Sequence, residues 1–379
     1  MDLAFCGRIP PRRSRFSFCG RCGLGCGGAG GIACAVRIKQ NNPCANVTVL
    51  EHLEEICKKI HATGNGRCNI TNTRAEGHET TVRFLNSIGL ELRTDSAGRV
   101  YPYSNQASTV VDVLRNNCES LGINIVLQAY VKGVEKRNGK YTVFTNQGKF
   151  TSDALVLATG GMAQSALGSD GSGYAMVKSF GHSLTELSPA LVMLKSSSKH
   201  CRVLKGTRSK CRVSIEENGN TVASEYGELL FADYGISGIV VMDLSRYVSD
   251  SKIESGKSKY IASIDFAPEF TEKQLEEHIN RFGSLEGILP KKLCSVLLKQ
   301  ADGNSRLTAK YAKNWRLIIT GTKGFDFAQI TKGGVPLCEL DKNNQSLINK
   351  NLYIIGELTD SQFMCGGFNL NYAFLSGIK

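Results

Sequence analysis

Two overlapping sets of residues near the start of the chain could do chemistry. In "FCGRCGLGCGGAGGIACAV", Phe18 to Val36, the cysteines Cys19, Cys22 and Cys26 are spaced like metal ligands, while Gly25-Cys26-Gly27-Gly28-Ala29-Gly30 spells G-x-G-x-x-G. A closed metal site needs a fourth ligand and a separated second pair. "CGRC" has neither a partner C-x-x-C nor a nearby histidine, because His52 and His61 lie across the next strand. Glycines instead let backbone N–H groups approach a pyrophosphate, backed by the positive end of a helix. Glu51, closing "ANVTVLE" about twenty residues on, is the acid that a dinucleotide fingerprint sets on ribose hydroxyls. The glycines outweigh the cysteines, and no metal is expected. Two registers stay open: one starts at Gly25, and the other reads Cys26-Gly27-Gly28-Ala29-Gly30-Gly31 and sets Ala35 better on the helix.

"HATGNGRCNITN", His61 to Asn72, is the second candidate. A surface turn explains Gly-Asn-Gly but not the polar cluster beside it. A loop laid against a cofactor explains both, with Arg67 and Asn69 offering hydrogen bonds. Cys68 is a poor nucleophile candidate, since no His–acid pair stands beside it. Tyr234 in "FADYGISG" is a candidate proton donor, weighed against a packed tyrosine with a bonded hydroxyl. His182 in "FGHSL" reads as a structural histidine rather than a base.

These residues need elements to hold them. "IACAVRIKQ" suits a helix packed tightly on a sheet, and "ANVTVLE" a buried strand. With a strand before the glycines they form one βαβ unit, although "RSRFSFCGRC" is basic and Cys-rich where an apolar run belongs. "INIVLQAYVKGVEKRNGKYTVFTNQGKFTSDALVLATGG" reads as successive strands with "RNGK" as a hairpin turn. From about Ser188 the texture changes to strand pieces such as "CRVSIEENGNTVAS" and helices such as "TEKQLEEHINRF". "NLYIIGELTD" and "CGGFNLNYAFLSGI" then return to the first texture. The expected organisation is a first domain over 1–190 (atypical over 1–24), an insertion over 191–325, and completion of the first domain over 326–379.

Composition narrows the class. A hydrophobic share of 41% with 8% aromatics is ordinary for a globular chain, and no apolar run is long enough to span a bilayer. The N-terminus lacks the apolar core of a secretory signal. The 14 scattered cysteines suit free thiols in a reduced, cytoplasmic setting. A formal charge of +12 is largely dispersed, and no basic run interleaved with aromatics appears outside the Arg-rich start. An anionic cofactor or acidic substrate accounts for it better than nucleic acid.

Several segments together carry a family resemblance: "TGNGRCNITN", "LATGGMAQSALGSDGSGYAM", "SPALVML", "GELLFADYGISG", "TGTKGFDFAQITKGGV" and "GELTDSQFMCGGFNLNYAFLSG". In sequence and order they resemble bacterial FAD-binding enzymes of the aminoacetone oxidase family, which includes flavoproteins that reduce unsaturated oxo-bile-acids. The resemblance runs from about Gly27 onward. It implies an α/β fold: a Rossmann-like FAD domain built from both chain ends, with an inserted barrel-like and helical domain. It also implies that Gly27, Gly28 and Gly31 line the FAD pyrophosphate, that Glu51 holds the adenosine ribose, and that Gly64, Asn65, Gly66, Arg67, Cys68 and Asn69 lie near the flavin ring. Val131 would meet the adenine through its backbone, and Ala158, Thr159, Gly160 and Gly161 would form a second cofactor turn. Gly356 and Glu357 would face the ribityl–pyrophosphate side, and Gly366, Gly367, Phe368 and Asn369 would present a helix start to the flavin. The chain departs from the family where Cys26 replaces a glycine in the second register, and at Lys379, where the final helix is expected to continue.

The expected activity is reduction: NADH or NADPH reduces FAD, and flavin N5 passes hydride to an activated C=C bond of a small organic substrate, steroid-like ones included. No second G-x-G-x-x-G follows a strand, so the nicotinamide would dock transiently. The alternatives are an oxygen-using amine oxidase and, from another class, a non-catalytic flavin or RNA binder. The sequence leaves the oligomeric state open.

Overall fold

In a computed structural model of the chain, the structure describes residues 15–19 and 27–379. Gly25, the side chains of Cys19, Cys22 and Cys26, and the Arg-rich start lie outside the described residues. The chain divides into two compact units, one made of residues 1–186 and 333–379 and the other of 187–332. The boundaries read from texture, at 190 and 325, fall on either side of a strand pair that belongs to the second unit: Ser188–Ala190 runs antiparallel to Ile330–Lys332.

The first unit is organised by a five-stranded parallel sheet in the order Leu352–Ile354, Ala154–Leu157, Arg15–Cys19, Asn46–Leu50, Asn124–Val126. The basic "RFSFC" segment, a doubtful strand by composition, is the central one and pairs along both edges. From it the chain winds one way through Asn46–Leu50 to Asn124–Val126, then returns to the other side through Ala154–Leu157. Strand order therefore reverses between Arg15–Cys19 and Ala154–Leu157, and ligands of open parallel sheets bind at the strand carboxyl ends beside such a reversal. Leu155 and its neighbour Val156, which point to opposite faces, are both buried, as expected of strands covered on both faces.

The helix Ala29–Asn41 connects the first two strands, and the helix Phe368–Ile378 packs directly against it. A Cβ on Gly30 would stand 2.7 Å from the backbone oxygen of Ala373, and one on Gly377 would stand 2.2 Å from that of Gly30. The two helices cross backbone to backbone because glycine leaves the room. Two smaller sheets complete the unit. In one, Thr71–Asn72, Arg99–Pro102 and Leu92–Thr94 lie side by side. In the other, Val131–Arg137 and Lys140–Thr145 form the expected hairpin, with Asn138 and Gly139 both at positive φ.

The second unit is a closed six-stranded barrel with helices. Its order is Leu194–Ser196, Gly235–Ser237, Asn220–Ala232, Arg208–Glu217, Tyr260–Asp265, Trp315–Thr322. Alternation fills the interior: Cys211, Val213 and Ile215 are buried along one strand, while Arg212 points outward. The amphipathic helix Glu272–Phe282 starts with a capping box, in which Thr271 Oγ1 accepts from Gln274 N and Thr271 N donates to Gln274 Oε1. Among the described residues no helix is long and apolar enough to cross a membrane.

Candidate cofactor site

The residues singled out from the sequence gather, within the first unit, at the carboxyl ends of the parallel strands. Gly27 and Gly28 follow the Arg15–Cys19 strand, Glu51 the Asn46–Leu50 strand, Ala158–Gly161 the Ala154–Leu157 strand, and Gly356–Glu357 the Leu352–Ile354 strand. Parallel pairing puts all these ends on one edge of the sheet.

The Ala29–Asn41 helix begins without a side-chain cap and without an acid in its first turn. Its first intrahelical bond runs from Ile32 N to Gly28 O, so the N–H groups of Ala29, Gly30 and Gly31 have no partner along the helix. Such an end attracts anions. A Cβ on Gly27 would lie 2.6 Å from Glu51 Oε2 and 3.2 Å from Glu51 Cβ, so any side chain there would displace the Glu51 carboxyl. Gly30 is pressed against the last helix. A third glycine that serves close packing is what the register starting at Gly25 would place here, and Gly25 itself lies outside the described residues. Gly31, assigned to the pyrophosphate by resemblance, is buried in the helix's first turn and offers its N–H there.

Glu51 is buried, and its carboxyl takes hydrogen bonds from Leu53 N at 3.0 Å and from the backbone of Gly27, with His52 Nδ1 at 3.1 Å. Burial pushes it up to about 7, partly offset by those bonds. Burial also pushes His52 below its usual value, which keeps the pair short of positive charge. Ala129 N bonds Glu51 O at 2.8 Å and leads into Val131, buried at the start of its hairpin.

The Gly64–Asn69 loop takes a tight path, with Gly64, Asn65, Gly66 and Cys68 all at positive φ. Cys68 is fully buried and burial pushes its thiol up to about 12, which argues against a nucleophilic role. Arg67 lies over the Tyr101 ring at 5.0 Å. Asn69 Oδ1 is buried with no hydrogen-bond partner. A Cβ on Gly367 would stand 2.7 Å from it, so the loop abuts the start of the last helix.

That start is again uncapped and free of acids, with Gly366 and Gly367 at positive φ. Asn371 N makes the first helical bond, to Gly367 O, leaving the N–H groups of Phe368, Asn369 and Leu370 outward. Asn369 contributes only through its backbone. Its side chain is spent on bracing the preceding turn, accepting from Phe363 N at 2.9 Å and donating to Phe363 O at 3.0 Å. Thr71 and Asn72 hold the helix in place: Thr71 Oγ1 donates to Asn371 Oδ1 at 2.8 Å, and Asn72 Nδ2 to Gly366 O at 3.2 Å. At the second turn, Gly160 is at positive φ and Thr159 Oγ1 is buried without a partner.

These features fit a dinucleotide. Two uncapped helix starts, a buried acid and two orphaned side-chain oxygens are groups that an extended dinucleotide would engage. Lys59, which no sequence signal distinguished from its neighbour Lys58, donates to Glu357 Oε2 at 3.1 Å and to Ser169 Oγ at 3.4 Å. His182 is the structural brace expected, its ring between Glu339 Oε2 and Ser346 Oγ, both at 2.7 Å.

Tyr234 belongs to the second unit. Lys323 Nζ sits 4.9 Å above its ring, and burial pushes its phenol up against a hydrogen bond from Ser237 that lowers it. A cavity of 280 Å³ in that unit is lined by Arg208, Tyr226 and Phe270 among others, but Arg208 is bonded to Glu228 and Tyr226 to Glu269. Among the described residues no three His, Cys, Asp or Glu side chains are placed to hold a metal.

Comparison with known proteins agrees with this geometry. The 3-dehydro-bile acid delta(4,6)-reductase of Clostridium scindens is 33% identical over 399 residues, covering 94% of this chain and 97% of that protein. The ribosomal RNA dihydrouridine synthase of Haemophilus influenzae is 25% identical over 396 residues, covering 92% of this chain and 94% of its own. The crystal structure of 3-ketosteroid delta1-dehydrogenase from Sterolibacterium denitrificans shares the fold, with a TM-score of 0.52 at 13% identity, covering 96% of this chain and 98% of that one. The model of the HI0933-like protein Rossmann domain matches residues 76–379. By that match and by its likeness to the C. scindens protein, the chain belongs to the HI0933-like family of Rossmann-fold proteins.

Proposed function

We propose that this protein is an NAD(P)H-dependent reductase that saturates an activated carbon–carbon double bond. The chain is an FAD-dependent oxidoreductase; the direction of hydride flow and the substrate are our reading. One observation carries it: the glycine turn, Glu51 and the Ala158–Gly161 and Gly356–Glu357 turns share the carboxyl edge of one parallel sheet, while the Asn69 loop abuts the uncapped start of a last helix whose far end packs on the first helix. When bound there, FAD supplies a two-electron carrier that accepts hydride from a nicotinamide and donates it through N5 to a polarised double bond.

The rest is the work of this chain's residues. The N–H groups of Ala29, Gly30 and Gly31 would hold the diphosphate, and Glu51 would bond the adenosine ribose. Val131 and its neighbours would bound the adenine. Asn69 Oδ1 would accept from the flavin ring, and the Phe368–Leu370 N–H groups would stabilise negative charge that develops on it. Tyr234 is the candidate proton donor: its raised phenol keeps its proton at neutral pH. The C. scindens relative supports the reducing direction, since its name describes loss of double bonds.

A second reading of the substrate, a base within RNA, is favoured by the H. influenzae relative and by a set of exposed arginines on the first unit. The test common to both is anaerobic stopped-flow mixing of flavin-loaded protein with NADH or NADPH. Bleaching of the flavin by either, followed by recolouring with a conjugated acceptor, is expected. If neither nicotinamide bleaches it while an amine substrate does, the protein is an oxidase and the proposal fails.

A further inference from the structure

In the barrel unit the strand Leu194–Ser196 has a neighbour on each side, since Leu194 stands opposite both Thr322 and Ile236. Lys323 follows the first neighbour and Tyr234 precedes the second. Backbone bonds fix both turns to the chain between them: Lys323 N donates to Met193 O at 3.0 Å, and Ser196 N to Tyr234 O at 2.9 Å. On the tyrosine side, a Cβ on Gly235 would stand 2.2 Å from Leu194 O, so that turn is pressed onto the strand. On the lysine side, Thr322 N and Oγ1 donate to the Asp250 carboxylate at 2.7 and 2.5 Å, and Gly324 N donates to Thr322 Oγ1 at 3.0 Å. From this footing Lys323 Nζ lies 4.9 Å from the centre of the Tyr234 ring and 4.5 Å from that of Phe327. Lys323 and Tyr234 are both half-buried. Among the described residues Lys323 forms no ion pair. The charges around the two are otherwise engaged. Asp233, beside the tyrosine, is bonded to Lys205 at 2.7 Å, Asp250 holds Thr322, and Lys195 lies against Gly321 beside Asp250. Asp326 is exposed and makes no ion pair with Lys323.

A lysine that served only solubility would extend into water or toward a carboxylate. Here the ammonium is directed at two rings instead. For Phe327 that is attraction alone. Tyr234 can also ionise, and the negative charge of a phenolate spreads into the ring over which the ammonium stands. Burial pushes the phenol up, Asp233 adds to the rise, and the bond to Ser237 opposes it. The cation acts in the same sense as Ser237. A proton donor needs such help. Hydride added to one carbon of an activated double bond leaves negative charge on the adjacent carbon and the group conjugated with it. The Tyr234 O–H bond then breaks, a C–H bond forms at that adjacent carbon, and the phenolate has to be stabilised until solvent returns a proton.

We infer that Lys323 is a positioning residue for Tyr234, holding its ring and stabilising its phenolate so that the phenol can give up a proton and recover it. The proton step rests on the reductase reading; the pairing of the two side chains does not. The experiment puts a ring-fluorinated tyrosine in place of Tyr234 in the full chain. Fluorine NMR then follows that one phenol, and the ring fluorine brings its titration down to a pH that the fold survives. Lys323→Met should move the midpoint up by about one pH unit, while Lys323→Arg, which keeps a cation that lies on rings, should stay near wild type. Lys323→Gln repeats the measurement should the methionine variant misfold. In flavin-loaded protein with natural Tyr234, Lys323→Met should slow recolouring of the reduced flavin by a conjugated ketone by about threefold to tenfold, through kcat and with KM little changed. The alkaline fall of that rate should move upward with the midpoint, and bleaching by the nicotinamide should match wild type. A midpoint that neither neutral variant moves, or a loss confined to KM, overturns the inference. A moved midpoint in a protein whose flavin neither nicotinamide bleaches would sink the reductase reading and leave the pairing standing.

Discussion

Replacing Glu51 by glutamine separates the energetics of the buried acid from its use. The carboxyl is 3% exposed, and among the described residues no cation stands against it to favour the charged form. The fold therefore prefers it protonated, and it rises from an ordinary 4.5 to about 7. Below about pH 4.5 the folded and unfolded chains both hold this proton, and Glu51 costs nothing. Between 4.5 and 7 the unfolded chain releases its proton first, so stability falls as pH rises, and the loss levels off above 7. At 1.36 kcal/mol per pH unit the full loss is roughly 3 kcal/mol. The glutamine amide is neutral at every pH and keeps an acceptor for Leu53 N. In urea unfolding of the flavin-free protein, Glu51→Gln should match wild type near pH 4.5 and exceed it by about 3 kcal/mol at pH 8. The same variant should bind FAD more weakly, because an amide oxygen is a poorer ribose acceptor than a carboxylate. Stability curves that run parallel from pH 4.5 to 8 would show that Glu51 is hydrated, and the argument from its burial would fall.

Three further outcomes follow from the geometry. Gly30→Ala brings a Cβ to 2.7 Å from Ala373 O, and Gly377→Ala one to 2.2 Å from Gly30 O. Each should cost about 1–3 kcal/mol in unfolding experiments, Gly377→Ala the more, despite alanine's better helix propensity; equal or greater stability would mean that the two helices do not meet. Lys59→Met should weaken FAD binding about fivefold by leaving Glu357 without its lysine, with Lys59→Arg restoring it; titration of flavin fluorescence reads this, and unchanged affinity refutes it. Thiol labelling of the native chain at pH 8 should reach exposed Cys44 and Cys338 quickly but spare Cys68 and Cys118, both held near 12 by burial. Mass-spectrometric detection of native-state labelling at Cys68 would contradict its placement.

Much of the nucleotide-binding half was legible in the residues because its determinants are local. Gly27 and Gly28 must precede a helix, Glu51 must end a strand, and Asn138-Gly139 must turn a hairpin, each for backbone reasons that act within a few residues. Composition argued against "RFSFC" as a strand, yet it is the centre of the sheet. Its hydrogen bonds go to Asn46–Leu50 and Ala154–Leu157, and pairing at such distance leaves no mark in the segment itself. For the same reason Asn369 looked free to face a flavin until its amide was found bonded to Phe363, and Lys59 looked like any surface lysine until Glu357 came to meet it.

What the chain alone determined is which residues can hold a phosphate or bend a backbone, since those are properties of side-chain size and local dihedral freedom. Only the tertiary structure decided which of them stand together. The contact of Gly30 with Gly377, the orphaned oxygen of Asn69 beside Gly367 and the laying of Arg67 over Tyr101 all arise where segments remote in sequence are packed together. Burial, charge and hydrogen-bond satisfaction at those places depend on that packing, which no stretch of sequence contains by itself.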